Sequence, residues 1–314
     1  MKKIVFYLLL TIFSSVAKAQ ESQTEYNFLR LPVSAHAAAL GGQNISIVED
    51  DPSLTFSNPA LLASVSDKTL NLNYMNYMAG SNMMGASFNK IIQPRLAAGA
   101  LAQYINYGSM KEVDATNQIT GEFSAKDIAI GAIVSYELTE RLVGGITAKF
   151  IMSYIGDYNS LAMGVDLGLN YYDEERGWSI SAVAKNLGGQ VKAYDDQFER
   201  MPFDLQVGIS KKLKGAPFRL SATLVDLTHW NYKAISHLAA GVDILLSHNI
   251  WIGAGYNFRR RNEMKIASFE SESSHGAGLT FGAGINLERF KLNLAYGKYH
   301  VSSQSILANV AYTL

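Results

Sequence analysis

The 314-residue chain carries 27 basic and 27 acidic side chains, is 17% charged and 48% hydrophobic, and has 26 glycines and no cysteine. That balance excludes a basic nucleic-acid surface, a disordered chain, and any disulfide scaffold, thiolate metal site or cysteine nucleophile. A soluble protein of this length would ordinarily carry more surface charge.

The chain opens with an export signal. Lys2 and Lys3 precede an apolar run from Ile4 to Phe13, and Ala17-Lys18-Ala19 offers small residues where a signal peptidase reads. This predicts a secretory signal over residues 1–19, cleaved before Gln20. The alternative, an anchoring helix, is shorter than the ~20 residues a span needs.

Residues 20–66 do not alternate. Leu31-Pro32-Val33 leads into Ser34 to Leu40 and then Gly41-Gly42, which predicts a short helix or turn stopped by paired glycines. Glu49-Asp50-Asp51 reads as a solvated turn rather than a calcium loop, because it lacks spaced oxygen ligands. Asn58-Pro59-Ala60 predicts a turn in which Pro59 opens one helical turn. The segment is too long for a tether and too apolar for a disordered arm. It is expected to plug a barrel from the periplasmic side.

From residue 67 to 314 the pattern has period two. Met163, Val165, Leu167, Leu169 and Tyr171 share one face, while Gly164, Asp166, Gly168 and Asn170 share the other. Similar stripes run through Ile128–Tyr136, Leu238–Leu246, Ile250–Phe258, Ala277–Leu287 and Ile306–Leu314. Strands of about 9–11 residues with one apolar face are expected. After Gln20 no apolar run is long enough for a membrane helix.

Connections fall into a short set, such as Gln93-Pro94 and His248-Asn249, and a mostly longer set. The longest are Gly108 to Ser124, Gly188 to Met201 and Arg259 to Ser274. Tyrosines such as Tyr74, Tyr136 and Tyr171 fall towards strand ends. Together these predict an all-β fold, a transmembrane antiparallel β-barrel of about 14 strands in the outer membrane. A secreted sandwich or propeller would show shorter strands, more external charge and no asymmetry of connections.

The order Phe28-Leu29-Arg30-Leu31-Pro32, Ala35 to Gly42, Asp50 to Ser53 and Asn58-Pro59-Ala60 resembles the amino-terminal region of the PorV/PorQ family. Asn186-Leu187-Gly188-Gly189 and Pro202 are also similar to that family. These are barrels of the type IX secretion system, similar to the FadL long-chain fatty-acid transporter. The resemblance implies an outer-membrane anchor of the cell-surface attachment complex of Bacteroidetes. It would hold a PorZ-like surface protein through extracellular loops, with PorU- and PorV-like components in the same complex. Cargo would be attached there to lipopolysaccharide.

Catalytic chemistry finds little support in the residues. The six histidines (His36, His229, His237, His248, His275 and His300) lack the spacing of a helical zinc site, and no Gly-x-Ser-x-Gly elbow occurs. His229 and His237 could meet near one loop, but lumen or loop positions account for them without a metal. No enzyme activity, metal, cofactor or nucleic-acid partner is expected. Arg259-Arg260-Arg261 opens a long loop, where it could pair with lipopolysaccharide or an acidic partner, or simply be solvated. Two functions therefore compete: a secretion scaffold, and a FadL-like channel for hydrophobic compounds that opens through the barrel wall.

Overall fold

The computed structural model describes residues 24–229, 233–247, 249–263, 266–267, 272–273, 276–299 and 303–314. The signal expected over 1–19 lies outside the described residues, as do His248, His275 and His300.

Fourteen strands close into one antiparallel barrel. They are β1 (Thr69–Asn76), β2 (Asn82–Gln93), β3 (Leu96–Val113), β4 (Ile119–Glu137), β5 (Leu142–Ile155), β6 (Tyr158–Asp173) and β7 (Trp178–Lys192). Then follow β8 (Asp204–Lys212), β9 (Phe218–Leu224), β10 (Leu238–Leu245), β11 (Ile250–Asn257), β12 (Leu279–Asn286), β13 (Phe290–Gly297) and β14 (Ser305–Thr313). Each strand pairs with its chain neighbours, and β1 meets β14 from Thr69↔Thr313 to Asn76↔Ile306. Closure is the only way a sheet can sit in hydrocarbon, because an open edge would strand its amides.

The side chains separate as the alternation requires. On β6, Met163, Leu167 and Leu169 are exposed outward, whereas Asp166, Gly168 and Asn170 are buried inward. Ile130, Ile146, Leu220, Phe281 and Val310 repeat the apolar exterior around the wall. Tyr74, Tyr104, Tyr154 and Tyr296 ring one end of this face, and Tyr136, Tyr171 and Tyr312 the other. Lys126 lies 5.3 Å from the Tyr154 ring centroid and Lys211 4.4 Å from that of Trp178. Such cation–aromatic pairs suit the boundary where hydrocarbon gives way to water.

Connections 94–95, 138–141, 174–177, 213–217, 246–249 and 287–289 make one rim, and the longer connections the other. They are called here the turn rim and the loop rim. Two of the long loops expected from the sequence are partly strand. β3 and β4 remain paired from Ser109↔Ser124 to Val113↔Ile119, so most of Gly108 to Ser124 is an upright hairpin. Its tip is organised by Asp114, whose Oδ1 accepts from the amides of Thr116 and Gln118 at 2.8 and 2.9 Å. β7 likewise continues to Lys192, leaving residues 193–203 as the loop.

Strands therefore range from 7 to 19 residues rather than 9–11. The shortest strand, β9, follows Pro217, which lacks the N–H a ladder needs. The third long connection holds a short helix, Phe258–Glu263, and a small ribbon of Ile266–Ala267 with Glu272–Ser273.

Residues 24–68 thread the lumen. They form a 3-10 turn at Asn27–Arg30, the helix α1 at Ala35–Ala39, and 3-10 turns at Pro52–Phe56 and Pro59–Ser64. Ser34 caps α1 by accepting from the Ala37 amide, and Gly41 and Gly42 end it with φ of 93° and 79°. A single turn of helix cannot stand alone. It is held because its alanines are buried against β12, β13 and β14. Phe28, Leu29 and Val33 pack with Met75, Met83, Ile105 and Ile151 of the wall.

A positive charge placed at Leu167, which is 43% exposed on the outer face, tests which surface meets lipid. Leu167→Arg should cost about 2–4 kcal/mol if the site lies near mid-bilayer. Reversible denaturant titration in vesicles measures it. An unchanged midpoint would mean that this face is not in hydrocarbon.

Candidate functional site

The lumen is filled rather than open, and the plug is tied to the wall by side chains that hydrate its backbone in place of water. Gln103 donates to the Phe28 carbonyl at 3.0 Å, Asn309 to that of Val33 at 2.9 Å, and Asn257 to that of Gly41 at 2.9 Å. Thr280 Oγ1 accepts from the Gly41 amide and donates to the Ala39 carbonyl. These inward polar residues satisfy backbone groups that burial would otherwise leave unpaired.

Asn58-Pro59-Ala60 forms the tightest of these seats. Asn58 Oδ1 accepts from the Ala60 amide at 3.0 Å, while its Nδ2 donates to the Ile45 carbonyl at 3.0 Å and the Leu169 carbonyl at 3.4 Å. The turn presses on two inward glycines. A Cβ at Gly145 would come within 2.3 Å of the Pro59 carbonyl carbon, and one at Gly168 within 2.1 Å of Asn58 Oδ1.

The acidic triplet is not a solvated turn. Each carboxylate reaches a different partner across the lumen. Glu49 meets Arg219 Nη1 at 2.7 Å and His36 Nδ1 at 2.9 Å. Asp50 pairs with Lys291 at 2.5 Å and accepts from the Ser66 amide and hydroxyl. Asp51 caps the Ser53 amide at 2.8 Å and accepts from Asn293 at 3.2 Å. Barrel closure puts these partners opposite the triplet; Glu49 and Asp51 are largely shielded from water, while Asp50 stays partly exposed beside the buried Lys291.

His36 is the centre of this latch. It is fully buried, its Nε2 lies 2.9 Å from Asp243 Oδ1, and its ring stacks on Trp251 with centroids 3.5 Å apart. Arg219 also holds Asp243, at 2.8 Å. Burial pushes the imidazole down, but the Glu49 and Asp243 carboxylates outweigh it and raise it to about 9. Burial likewise favours a neutral Glu49, yet Arg219 and His36 hold it well below the usual carboxylate range. With His36 protonated the four groups carry no net charge. A polar mouth of about 720 Å³ leads inward from the turn rim and ends on Glu49 and Arg219.

A weak seam lies along β7. The β6–β7 register shifts between Val165 and Leu167, and Asn186 adopts φ 59° at the bulge. Asp166 accepts from the Asn186 amide at 2.7 Å and pairs with Lys149 at 2.8 Å. At Gly188 a Cβ would sit 2.0 Å from the Met163 carbonyl oxygen, so only glycine allows the strands this close. β7 pairs with β8 only as far as Lys185↔Asp204, and from Asn186 to Lys192 that side of β7 has no ladder.

An outer concavity of about 830 Å³ opens over this place. Ile130, Phe150, Met163 and Leu187 line it, and Lys149 and Gln190 reach its floor from the lumen side. The start of the plug is tied to the lumen side of this place, where Gln190 is its point of contact with the concavity. Thr24 bridges Arg200, the Glu25 amide donates to the Arg200 carbonyl at 3.0 Å, and the Tyr26 hydroxyl bonds Ser160 and Gln190.

Of the arginines expected to line an outer loop, two turn inward. Arg259 pairs with Asp226, and Arg260 lies 3.8 Å from the Tyr299 ring centroid. Arg261 is exposed. His229 is bound to Asp226, and His237 to the Val225 carbonyl at 2.8 Å. The latch itself was missed in the sequence. Its signal was there: Arg219, Asp243 and Lys291 are charged residues on the non-apolar parity of their strands.

No family model matches this chain, and no curated protein does. Solved structures do. The toluene transporter TodX of Pseudomonas putida superposes with a TM-score of 0.57 at 14% identity, covering 90% of this chain and 98% of that one. The fold is that of a FadL-like barrel. The toluene transporter TbuX of Ralstonia pickettii gives 0.55 at 15% identity, covering 90% and 97%. A FadL homologue of Pseudomonas aeruginosa gives 0.56 at 11%, covering 89% and 98%. At these identities the likeness concerns the fold.

The latch predicts a pH-dependent stability for the barrel. A folded value above the ordinary 6.5 means His36 stabilises in full below about 6.5 and progressively less as pH rises through about 9. Thermal unfolding of the detergent-solubilised protein should therefore drop between pH 6.5 and 9, and His36→Gln should flatten that slope. An equal slope in the variant would remove His36 as its source.

Proposed function

We propose that the protein is an outer-membrane conduit that admits hydrophobic small molecules sideways, from the bilayer, through the β6–β8 seam. The observation that carries this reading is the concavity over Gly164, Gly188 and Gly189, which faces hydrocarbon and whose Gln190 is held from the lumen side by the Tyr26 hydroxyl. An apolar compound would partition into the bilayer-facing hollow. It would then pass towards Met201, Ile151 and Phe28 once the Tyr26 hook is released. Similarity of fold to toluene transporters and a FadL homologue supports this reading over a purely structural barrel.

The chain's lack of cysteine gives a clean test. Thr24 and Arg200 are bridge partners, close enough for a disulfide. A Thr24→Cys, Arg200→Cys pair should block uptake of a hydrophobic probe when oxidised and regain it on reduction. Undiminished uptake by the locked form would overturn the seam as the route.

A second reading has its own support. The β3–β4 hairpin stands beyond β2, whose pairing ends at Asn82↔Asn106, and beyond β5, whose pairing ends at Ala125↔Ile155. Among the described residues both of its edges are therefore unpaired, and Val113 and Ile119 are exposed at its tip. Unpaired edges are templates for another protein's strand, and a conduit does not need them. This favours the type IX attachment role implied by the sequence resemblance, with a PorZ-like partner at the loop rim. Replacing 109–124 by a two-residue turn should leave a heat-resistant barrel with unchanged uptake but weaken capture of that partner. Full capture by the trimmed barrel would remove the hairpin as the dock.

A further inference from the structure

Midway down the lumen, three basic side chains converge between plug and wall with one carboxylate among them. Lys149 is satisfied: its Nζ lies 2.8 Å from Asp166 and donates to Asn186 Oδ1 at 2.5 Å. Lys185 donates to the Phe56 carbonyl at 3.1 Å and forms no ion pair among the described residues. Arg30, at the end of the plug's first turn, has its Nε buried without a partner. All four line one small cavity of about 30 Å³. Asp204, the next acid along, is engaged by Gln206 and the Asp226 amide, both at 2.7 Å. The Glu49, Asp50 and Asp51 carboxylates are held by other partners. The groups that line the cavity thus carry an excess of two positive charges, which Asp204, bonded only to neutral donors, offsets in part from outside the lining.

Arg30 and Lys185 are half-buried, and like charges gathered with one buried, unpartnered donor among them favour an anion there. A cavity of this size exceeds what one water-sized group needs but leaves no room for a large solute. We propose that it is a monovalent-anion site, taking a halide or a carboxylate between the Arg30 guanidinium and the Lys185 ammonium. The guanidinium offers a directed donor fork and the ammonium a point charge, a donor set suited to a small anion. Because Arg30 belongs to the plug and Lys185 to β7, the anion would pin the plug to the wall beside the seam. This binding does not depend on whether compounds cross the barrel.

The test uses the full mature protein in detergent. Sodium chloride, sodium bromide and sodium acetate are titrated against sodium gluconate at equal ionic strength, and the unfolding temperature is followed. A saturable rise with halide, with acetate, or with both is expected, and which anions give it identifies the source. Arg30→Gln and Lys185→Met should each weaken the apparent affinity on the order of tenfold. Arg261→Gln, at an exposed position, should not.

If a variant does not fold, crystals of the unaltered protein grown in bromide decide: an anomalous peak between Arg30 and Lys185 supports the site. No peak there, or no saturable anion effect, overturns it. The latter is the result a neutral Lys185 amine would give. An anion effect unchanged in folded Arg30 and Lys185 variants overturns it too.

Discussion

Backbone amides cannot be left unpaired in hydrocarbon, and the rest of this molecule follows from that constraint. A sheet meets it by closing, and β1 on β14 closes this one. Closure assigns every strand an outer face in lipid and an inner face in a confined lumen. The outer face is filled with Leu, Ile, Val and Phe. The inner face must then accommodate what the strands cannot expose outside, which is their Asn, Ser, Thr and charged residues.

A lumen of that kind needs water or polypeptide inside it, and here it holds polypeptide. The plug has little secondary structure of its own, so its amides depend on wall side chains such as Asn309, Asn257 and Thr280. Inward glycines make room for its backbone at the Pro59 turn. The ion pairs run from Glu49 and Asp50 in the plug to Arg219 and Lys291 in the wall, near the turn rim. The opposite end is held differently, by the Tyr26 hook and by apolar packing around Phe28. The two ends therefore differ in strength. Buried charges resist separation because each would be left alone, whereas a hydroxyl contact and a short bridge can open at lower cost. The weaker attachment lies beside the bulged seam.

Much of this was legible in the sequence. The β6 stripe from Met163 to Tyr171 reads outward by parity, and Asp166 and Gly168 read inward, as found. A short helix or turn is legible in the small residues and the glycine pair that stops them, whereas the Ser34 cap shows only in the structure. The hairpin at β3–β4 looks like a loop in sequence because pairing beyond the membrane leaves no apolar stripe: both faces there are wet. The acidic triplet was read as solvated for a related reason. A charged run on a nonperiodic segment says nothing about the wall that will surround it.

Period-two alternation is local, so each strand declares its lipid face by itself, and an even strand count with unequal connections follows from the order of segments. Those features the sequence determined unaided. The latch, the hook and the seam are different. His36 and Asp243 stand 207 residues apart, and Tyr26 and Gln190 164 apart. Only the curvature of a closed wall brings such pairs within hydrogen-bonding distance, and only exclusion of water makes their charges bind rather than hydrate. That part of the protein was decided by tertiary structure.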